Sequence, residues 1–544
     1  MLVALNTANR RFARSFALLP AGEAPEDPRL DPMEDSTEIE LKLAVVKGKP
    51  GRARSAFGKA RLERTSIDDV YFDTPDANLR GRGLVLRLRH DGDRWLQTLK
   101  ASARSRSIVP VRGEWEVTLP AQGGVPTLDL ERFGIAPRRV LLRKGLDTNE
   151  LAPVFRVKTV RERGTISHGE SIIEVALDLG ELRAEIDGHR RRLPLAEVEL
   201  ELKSGRAEDL LAVASTLVNE RRGLRLVPAL RTKSERGYAL AGPTGLDVVR
   251  ASARSFADLV DADMRSSEAL RAIVRHGLAI VVTNVDALRA GLAGEHLHQA
   301  RVALRRMRSA IRLLDPDAED LTDRMRQQLR WLTGVLGEAR DWDVIVDHTL
   351  PAILAEAGTR LDRGGNDLLK TAMRARDRTL SRAIEVVNSR RYARLVLDLA
   401  RWTLTTEPPA TSTVGETSGA LLDHAAGHLF ASARSFARLT PHQRHRVRIL
   451  AKRLRYALDL LNPTLPTPGA ADYVARLAHL QDSLGELTDA YVVLELLSDE
   501  VKDKLSRHAL AGWLESSEPQ LATRAGRELA ALARRPRPWH PRQR

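Results

Sequence analysis

The chain of 544 residues contains no cysteine, so it has neither disulfides nor thiolate metal sites, and this composition suits a reducing compartment. Aromatic residues make up only 4%. Lysine is scarce beside arginine, 13 against 74. No apolar run is long enough to span a bilayer. Residues 1–33 lack the apolar segment and cleavage site of a secretory leader, and are read as a disordered or mis-started extension. The expected location is cytoplasmic.

What the chain has in excess is positive charge. The formal net charge is +15 and the sequence pI about 10.3, which favours polyanionic partners. At 43% hydrophobic and 29% charged residues, it is long enough for several folded domains.

Two periods divide it. From about 37 to 240 the apolar residues alternate, predicting strands at Glu38–Ala44, Leu84–Arg89, Arg94–Lys100, Arg112–Leu119, Phe155–Arg163, Ser171–Leu179 and Glu197–Leu202. A short helix is expected at Ala207–Glu220. Past the Gly242-Pro243-Thr244-Gly245 break the spacing becomes helical, predicting helices at Ala269–Leu288, His296–Leu314, Leu321–Leu336, Asn366–Val386, Arg391–Leu404, Leu421–Ala437, Pro441–Leu461, Tyr473–Leu484 and Ala490–Ser498. Thr405–Ser418 reads as a loop, and the proline-rich basic end as a frayed tail.

Each strand has an apolar and a charged face. Glu38, Glu40 and Lys42 lie opposite Ile39, Leu41 and Leu43. Arg87 and Arg89 share one face, as do Glu114 and Glu116, Arg161 and Arg163, and Glu197, Glu199 and Glu201. One wet, charged face is ordinary for an antiparallel sheet. Sorting acidic from basic strands is not needed for solubility. Turned inward, such faces would line a cavity with carboxylates for hard divalent cations and with Arg and Lys for phosphate oxygens.

The helical half contains a duplication. His298-x2-Arg301-x3-Arg305-Arg306-x-Arg308 recurs as His445-x2-Arg448-x3-Lys452-Arg453-x-Arg455 at an offset of 147, and Leu332-x3-Leu336-Gly337-Glu338-x2-Asp341 as Leu480-x3-Leu484-Gly485-Glu486-x2-Asp489 at 148. On a helix, His298, Arg301, Arg305, Arg308 and Arg312 form one stripe, as do His445, Arg448, Lys452 and Arg455. Like charges so placed repel, and a multi-phosphate anion would relieve them.

These motifs resemble two families. Glu38-x-Glu40-x-Lys42, followed by LRLR at 86–89, TLK at 98–100, GEWE at 113–116, EVALD at 174–178, EVELEL at 197–202 and TKSERGY at 232–238, resembles the CYTH proteins, or triphosphate tunnel metalloenzymes. HLHQARVALRRMRSAIRLL, LGEARDWDV, HRVRILAKRLRYALDLL and LQDSLGELTD resemble the CHAD family. The resemblance implies a multidomain α+β protein: an eight-stranded antiparallel β-barrel tunnel, open at both ends, then an all-α domain of two pseudo-symmetric four-helix bundles. The implied organisation is an extension (1–33), a CYTH barrel (34–240), a linker (241–254), a CHAD domain (255–505) and a C-terminal helix with a basic tail (506–544).

It further implies that Lys42, Arg87, Arg89, Lys100, Arg161 and Lys233 grip a triphosphate. Glu38, Glu40, Asp178, Glu199 and Glu201 would hold Mg²⁺ or Mn²⁺, and Glu114 and Glu116 would serve the second metal or the attacking water. The implied reaction is two-metal hydrolysis of inorganic tripolyphosphate by water. The two arginine stripes would bind inorganic polyphosphate, and the counterpart of Arg340, Thr488, makes the second repeat less basic. The alternatives are an idle barrel in a polyphosphate-binding scaffold, and a tunnel acting on nucleoside or thiamine triphosphate. Nucleic acid ranks below polyphosphate, and the oligomeric state is open.

Overall fold

The computed structural model describes residues 37–540 apart from 58–59, 102–106, 121–123, 143–147, 221–222, 243–255, 316–320, 358–364, 406–411, 466–469 and 501–503, with backbone alone at 37, 55–56, 142, 353, 356–357, 365–366, 470, 488–500 and 504–517. The expected extension and nearly all of the expected linker lie outside the described residues, as do the side chains of Thr488 and Asp489.

Among the described residues nine strands form one antiparallel sheet: β1 (Thr37–Lys47), β2 (Glu63–Asp73), β3 (Leu84–Asp91), β4 (Arg94–Ala101), β5 (Val111–Leu119), β6 (Ala152–His168), β7 (Ser171–Ile186), β8 (His189–Ser204) and β9 (Arg225–Ala229). Their order is β5-β4-β3-β2-β6-β7-β8-β1-β9, and β5 also pairs with β1, so the first eight close into a ring. β9 runs along β1 outside that closure, and its Pro228 sits where a strand need not donate on both edges. The charged faces read from the alternation turn inward, while β2 and β6 carry further charges on their outer faces.

The alternation located most of these strands but missed β2 and β9. In β2 the adjacent Asp68 and Asp69 break the period, because both faces carry a charge that finds a partner. Asp69 points inward to Arg89, whereas Asp68 points outward to Lys158, 3.0 Å away, and to Arg156. β6, β7 and β8 are also longer than their alternating cores, at 17, 16 and 16 residues.

Helix α1 (Asn78–Gly81) and helix α2 (Ile135–Leu142) connect strands. Helix α3 (Ala207–Asn219) packs its Leu210, Leu211, Ala214, Leu217 and Val218 against the outward Leu41, Leu43, Val175, Leu177, Val198 and Leu200 of the ring. Helix α4 (Lys233–Ala241) opens with a capping box between Thr232 and Glu235. Its Tyr238 and Leu240 join Tyr71, Phe155, Val157, Leu182, Ala184 and Leu195 in a separate apolar cluster. Those strand residues share parity with the inward charges, so α4 fills one end of the ring, and the expected opening at both ends is not built. Gly237 permits it, since a Cβ there would come within 2.0 Å of the Phe155 ring.

The remainder is helical: α5 (Ser266–Arg289), α6 (Glu295–Leu314), α7 (Asp323–Val344), α8 (Leu350–Ala357), α9 (Gly365–Val387), α10 (Arg390–Trp402), α11 (Val414–Phe430), α12 (Pro441–Leu461), α13 (Ala470–Glu500) and α14 (Lys504–Ala533). The repeated stripes occupy α6 and α12, which pack against each other. Helix α13 is one helix where two were expected. Helix α11 starts inside the stretch read as a loop, because Thr413 and Glu416 form a capping box. The basic tail is not frayed through residue 540: Trp539 is buried beside Tyr473, and its Nε1–H donates to Asp423 at 2.9 Å.

One apolar cluster runs without a break from the outer wall of β1, β7 and β8 through α3 and β9 into α5, α6 and α10. Residues 34–240 therefore expose a large apolar face when cut from the helices. Expressed alone, that fragment is expected to aggregate or to bind a hydrophobic dye, whereas the full chain is expected to stay monodisperse by light scattering.

Candidate functional site

Because adjacent strands are antiparallel and in register, residues far apart in sequence share a rung inside the ring. Lys42 lies opposite Glu199, Arg161 opposite Asp178, and Lys100 opposite Glu114. The inward faces thus deliver carboxylates and cations to one buried volume.

At its closed end, Lys233 on the first turn of α4 reaches three carboxylates, with its Nζ 2.7 Å from Asp178, 2.6 Å from Glu197 and 2.6 Å from Glu199. The Arg161 fork donates to both oxygens of Asp178 at 2.8 and 2.7 Å and also contacts Glu199. Arg236, one turn along α4, pairs with Glu197. Lys42 bridges Glu199 at 2.9 Å and Glu40. Across the ring, Arg89 grips Asp69 at 2.7 and 3.0 Å, with Arg87 at 3.7 Å. Lys100 donates to both oxygens of Glu38 at 2.9 Å and lies 3.1 Å from Glu114.

Accessibility grades along the ring. Asp178 is 0% exposed at the side chain, whereas Glu114 is 23% and Glu201 29% exposed, so solvent enters from the end opposite α4.

Burial pushes Glu38, Glu40, Asp69, Asp178 and Glu199 upward, and the local cations decide which still ionise. Against burial, the Lys100 and Lys42 ammoniums hold Glu38 down at about 2. Arg89 and Arg87 do the same for Asp69, also at about 2. Burial of Glu199 is outweighed by Lys233, Lys42 and Arg161, which hold it well below the usual range. Glu40 goes the other way: burial and then the neighbouring Glu199 charge push it up to about 7.

Asp178, Glu197 and Glu199 each place one carboxylate oxygen within 4.8 Å of the others. An all-oxygen, carboxylate-rich set fits a hard divalent cation such as Mg²⁺ or Mn²⁺. The buried Nε of Arg87 lacks a hydrogen-bond partner, which leaves a donor for an oxyanion.

The structure brings Glu38, Glu40, Lys42, Arg87, Arg89, Lys100, Glu114, Arg161, Asp178, Glu199 and Lys233 into one network. It does not bring Glu201 into the carboxylate cluster. Glu201 pairs with Lys203 at 2.6 Å, and Glu197 takes the inner place on the same face of β8. Glu116 is exposed and accepts from the Thr98 hydroxyl at 3.1 Å. Sequence reasoning missed Asp69, Glu197 and Arg236. The parity of β8 was a usable signal for Glu197, and the one-turn spacing from Lys233 for Arg236. Asp69 had none, because its strand lacked alternation.

A CYTH domain family model matches residues 36–238, and a CHAD domain family model matches residues 272–498. The chain joins a CYTH domain to a CHAD domain. Its CYTH part is 29% identical over 206 residues to the inorganic triphosphatase of Haemophilus influenzae, a match covering 37% of this chain and 54% of that protein. This chain thus spans about half the length of that relative. An uncharacterized protein of Mycobacterium tuberculosis is 26% identical over 534 residues, covering 92% of this chain and 96% of its own. The crystal structure of the CHAD domain from the plant Ricinus communis is 30% identical, covers 54% of this chain and 98% of that one, and superposes with a TM-score of 0.45.

In the CHAD domain the two repeats set their basic faces together. Arg301 on α6 pairs with Asp341 on α7 at 2.7 Å. Arg305 and Arg306 lie 5.6 and 5.8 Å from the Tyr456 ring of α12. Burial, then Arg453, Arg308 and Arg330, pull the Arg312 guanidinium down to about 10. Arg308 is lowered by burial and by Arg330 and Arg453. Burial lowers the half-buried His298 as well. Arg455 donates to Gln481 at 2.9 Å. His445, Arg448 and Lys452 lie on α12, whose Val447, Ala451, Leu454 and Leu458 form the buried side. Arg330 and Arg453 belong to the crowded set although the stripe reading named neither as a ligand.

Proposed function

We propose that this chain is a metal-dependent triphosphatase that hydrolyses inorganic tripolyphosphate inside the CYTH ring, while its CHAD domain binds inorganic polyphosphate. The observation that carries the reading is the buried convergence of Lys42, Arg161 and Lys233 on the Asp178–Glu197–Glu199 carboxylates. Such a volume suits a substrate that brings its own charge and a neutralising metal. Asp178, Glu197 and Glu199 would hold Mg²⁺ or Mn²⁺, with Glu38, Glu40 and Glu201 as further candidate ligands. Bound there, the cations would neutralise phosphate oxygens and acidify a water.

The chain's own groups do the rest. Lys42, Arg87, Arg89, Lys100, Arg161 and Lys233 exchange carboxylate partners for phosphate oxygens and align the chain of phosphates. Glu114 and Glu116, nearer the open end, orient the attacking water and accept its proton. On this reading water attacks directly, so catalysis is positioning and electrostatics.

Glu38→Gln and Glu199→Gln are each expected to lower tripolyphosphate turnover with Mn²⁺ or Mg²⁺ by about 10²-fold or more, measured as phosphate release from the full chain. Unchanged turnover in both would end the reading. Preference for a nucleoside or thiamine triphosphate in a substrate panel would replace the substrate. For the CHAD domain, long-chain polyphosphate is expected to raise the melting temperature, with about 2.7 kcal/mol of stabilisation at a hundredfold excess over Kd. Arg308→Gln combined with Arg312→Gln should erase most of that rise. Duplex DNA at equal phosphate concentration should give less, and an equal rise would move the assignment to nucleic acid.

A further inference from the structure

Lys233, which holds the three innermost carboxylates, is placed by a residue of the other domain. The segment leading into α4 is anchored on α5 by Asp286. One carboxylate oxygen, Oδ2, accepts the backbone N–H of Leu230 at 2.7 Å and of Arg231 at 3.1 Å. The other, Oδ1, accepts from Arg289 at 2.8 Å, and the same guanidinium donates to the carbonyl of Pro228 at 3.2 Å. Asp286 is buried, 6% exposed at the side chain. The residue after these anchored amides, Thr232, caps α4, and Lys233 is the helix's first residue. Little backbone freedom separates the anchor from the Cα of Lys233, because the capping box fixes the turn between them.

We propose that Asp286 of the CHAD domain is a positioning residue for the CYTH site, acting through the placement of Lys233. This rests on the triphosphatase reading given above. A buried anion on two consecutive N–H groups is a strong, directional anchor. A lysine displaced by about 1 Å loses its simultaneous reach to three carboxylates and to the phosphates that would replace them. The CHAD domain thereby completes the site of its neighbour, which also explains why the ring shares its core with the helices.

The test is a double-mutant cycle on the full chain with Mn²⁺ present, assayed on tripolyphosphate. Lys233→Gln is expected to lower kcat/KM about 10²-fold, and Asp286→Ala about tenfold through a higher KM. In the Lys233→Gln background, Asp286→Ala should cost nothing further, because its effect runs through the missing ammonium. Arg390→Met breaks another inter-domain contact, to the carbonyls of Glu220 and Leu224 at 2.6 and 3.1 Å, and is expected to lower the melting temperature without changing kcat/KM.

A second readout needs no turnover. Mn²⁺ binding to the substrate-free protein, followed by EPR, should tighten severalfold in Asp286→Ala as in Lys233→Gln, since the ammonium competes with the cation for the same carboxylates. Asp286→Asn, which keeps one acceptor, should fall between wild type and Asp286→Ala and serves if the alanine variant does not fold. Equal losses from Asp286→Ala in both backgrounds, no loss in either, or weakened Mn²⁺ binding would overturn the proposal. Full turnover in Lys233→Gln would overturn the positioning role alone, whereas no turnover of tripolyphosphate by the wild-type chain would overturn the triphosphatase reading.

Discussion

Replacing Lys233 by methionine is expected to cost the metal-free protein about 3–5 kcal/mol of stability, since it strips the shared cation from buried carboxylates. The ammonium lies within 2.7 Å of Asp178, Glu197 and Glu199, and Asp178 is fully buried. Arg161, Arg236 and Lys42 remain, but each is committed to particular oxygens of the same set. Two outcomes are open to the carboxylates: take up protons, or take up another cation. Divalent metal should therefore rescue the variant more than it helps wild type. Urea unfolding with EDTA and with Mn²⁺ checks both halves of the expectation. A Lys233→Met protein as stable as wild type in EDTA would show that the cluster is neutralised without it.

The second large effect concerns Glu40 and has a definite sign. Its folded-state pKa is about 7 against an ordinary 4.5. A raised carboxyl pKa means that the folded protein holds a proton which the unfolded chain releases. The associated stability is fully present below about pH 4.5 and is lost as pH rises through about 7, a change of about 3 kcal/mol for a shift of this size. Glu38 and Asp69, held at about 2, work in the opposite sense: their contribution is present above the ordinary carboxyl range and disappears only as pH falls toward 2. They do not move between pH 5 and 8, and groups common to wild type and a Glu40 variant cancel in the comparison of the two. Glutamine mimics the protonated carboxyl at every pH. In EDTA, Glu40→Gln should match wild type near pH 5 and exceed it near pH 8, read by thermal melts across that range. With Mn²⁺ the order should narrow or invert, because a metal ligand must be ionised. Parallel pH curves for the two proteins would place the perturbed carboxyl elsewhere in the ring.

Local pattern carried much of this protein. The period-two segments place seven of the nine strands, because a strand with one apolar face has to alternate. The helices of the CHAD domain are legible for the same reason at a period of 3.6, and Pro441–Leu461 ends where the pattern ends. The misses have physical causes. β2 carries a partnered aspartate on each face, so its charges do not alternate. Helix α11 was obscured by threonine and glycine, residues that suggested a loop although Thr413 serves as a helix cap. The tail looks unanchored until Trp539 and Asp423 are seen together, 116 positions apart.

What the sequence by itself determined is which residues share a face: Glu38, Glu40 and Lys42 together, Arg87 with Arg89, and the arginine stripes with their apolar flanks. Parity and helical spacing are properties of the local backbone, and no distant contact can change them. Only the tertiary structure decided which way each face turned and what stood opposite. Ring closure through β5 and β1 turned the charges inward, register set Lys42 against Glu199, and Asp69, Glu197 and Arg236 joined residues far from them in sequence. It also made α4 a plug at one end and gave Asp286, on a helix of the other domain, a hold on the segment before Lys233. These are long-range pairings, fixed by how apolar faces meet across the whole chain, and a window of neighbouring residues holds no record of them.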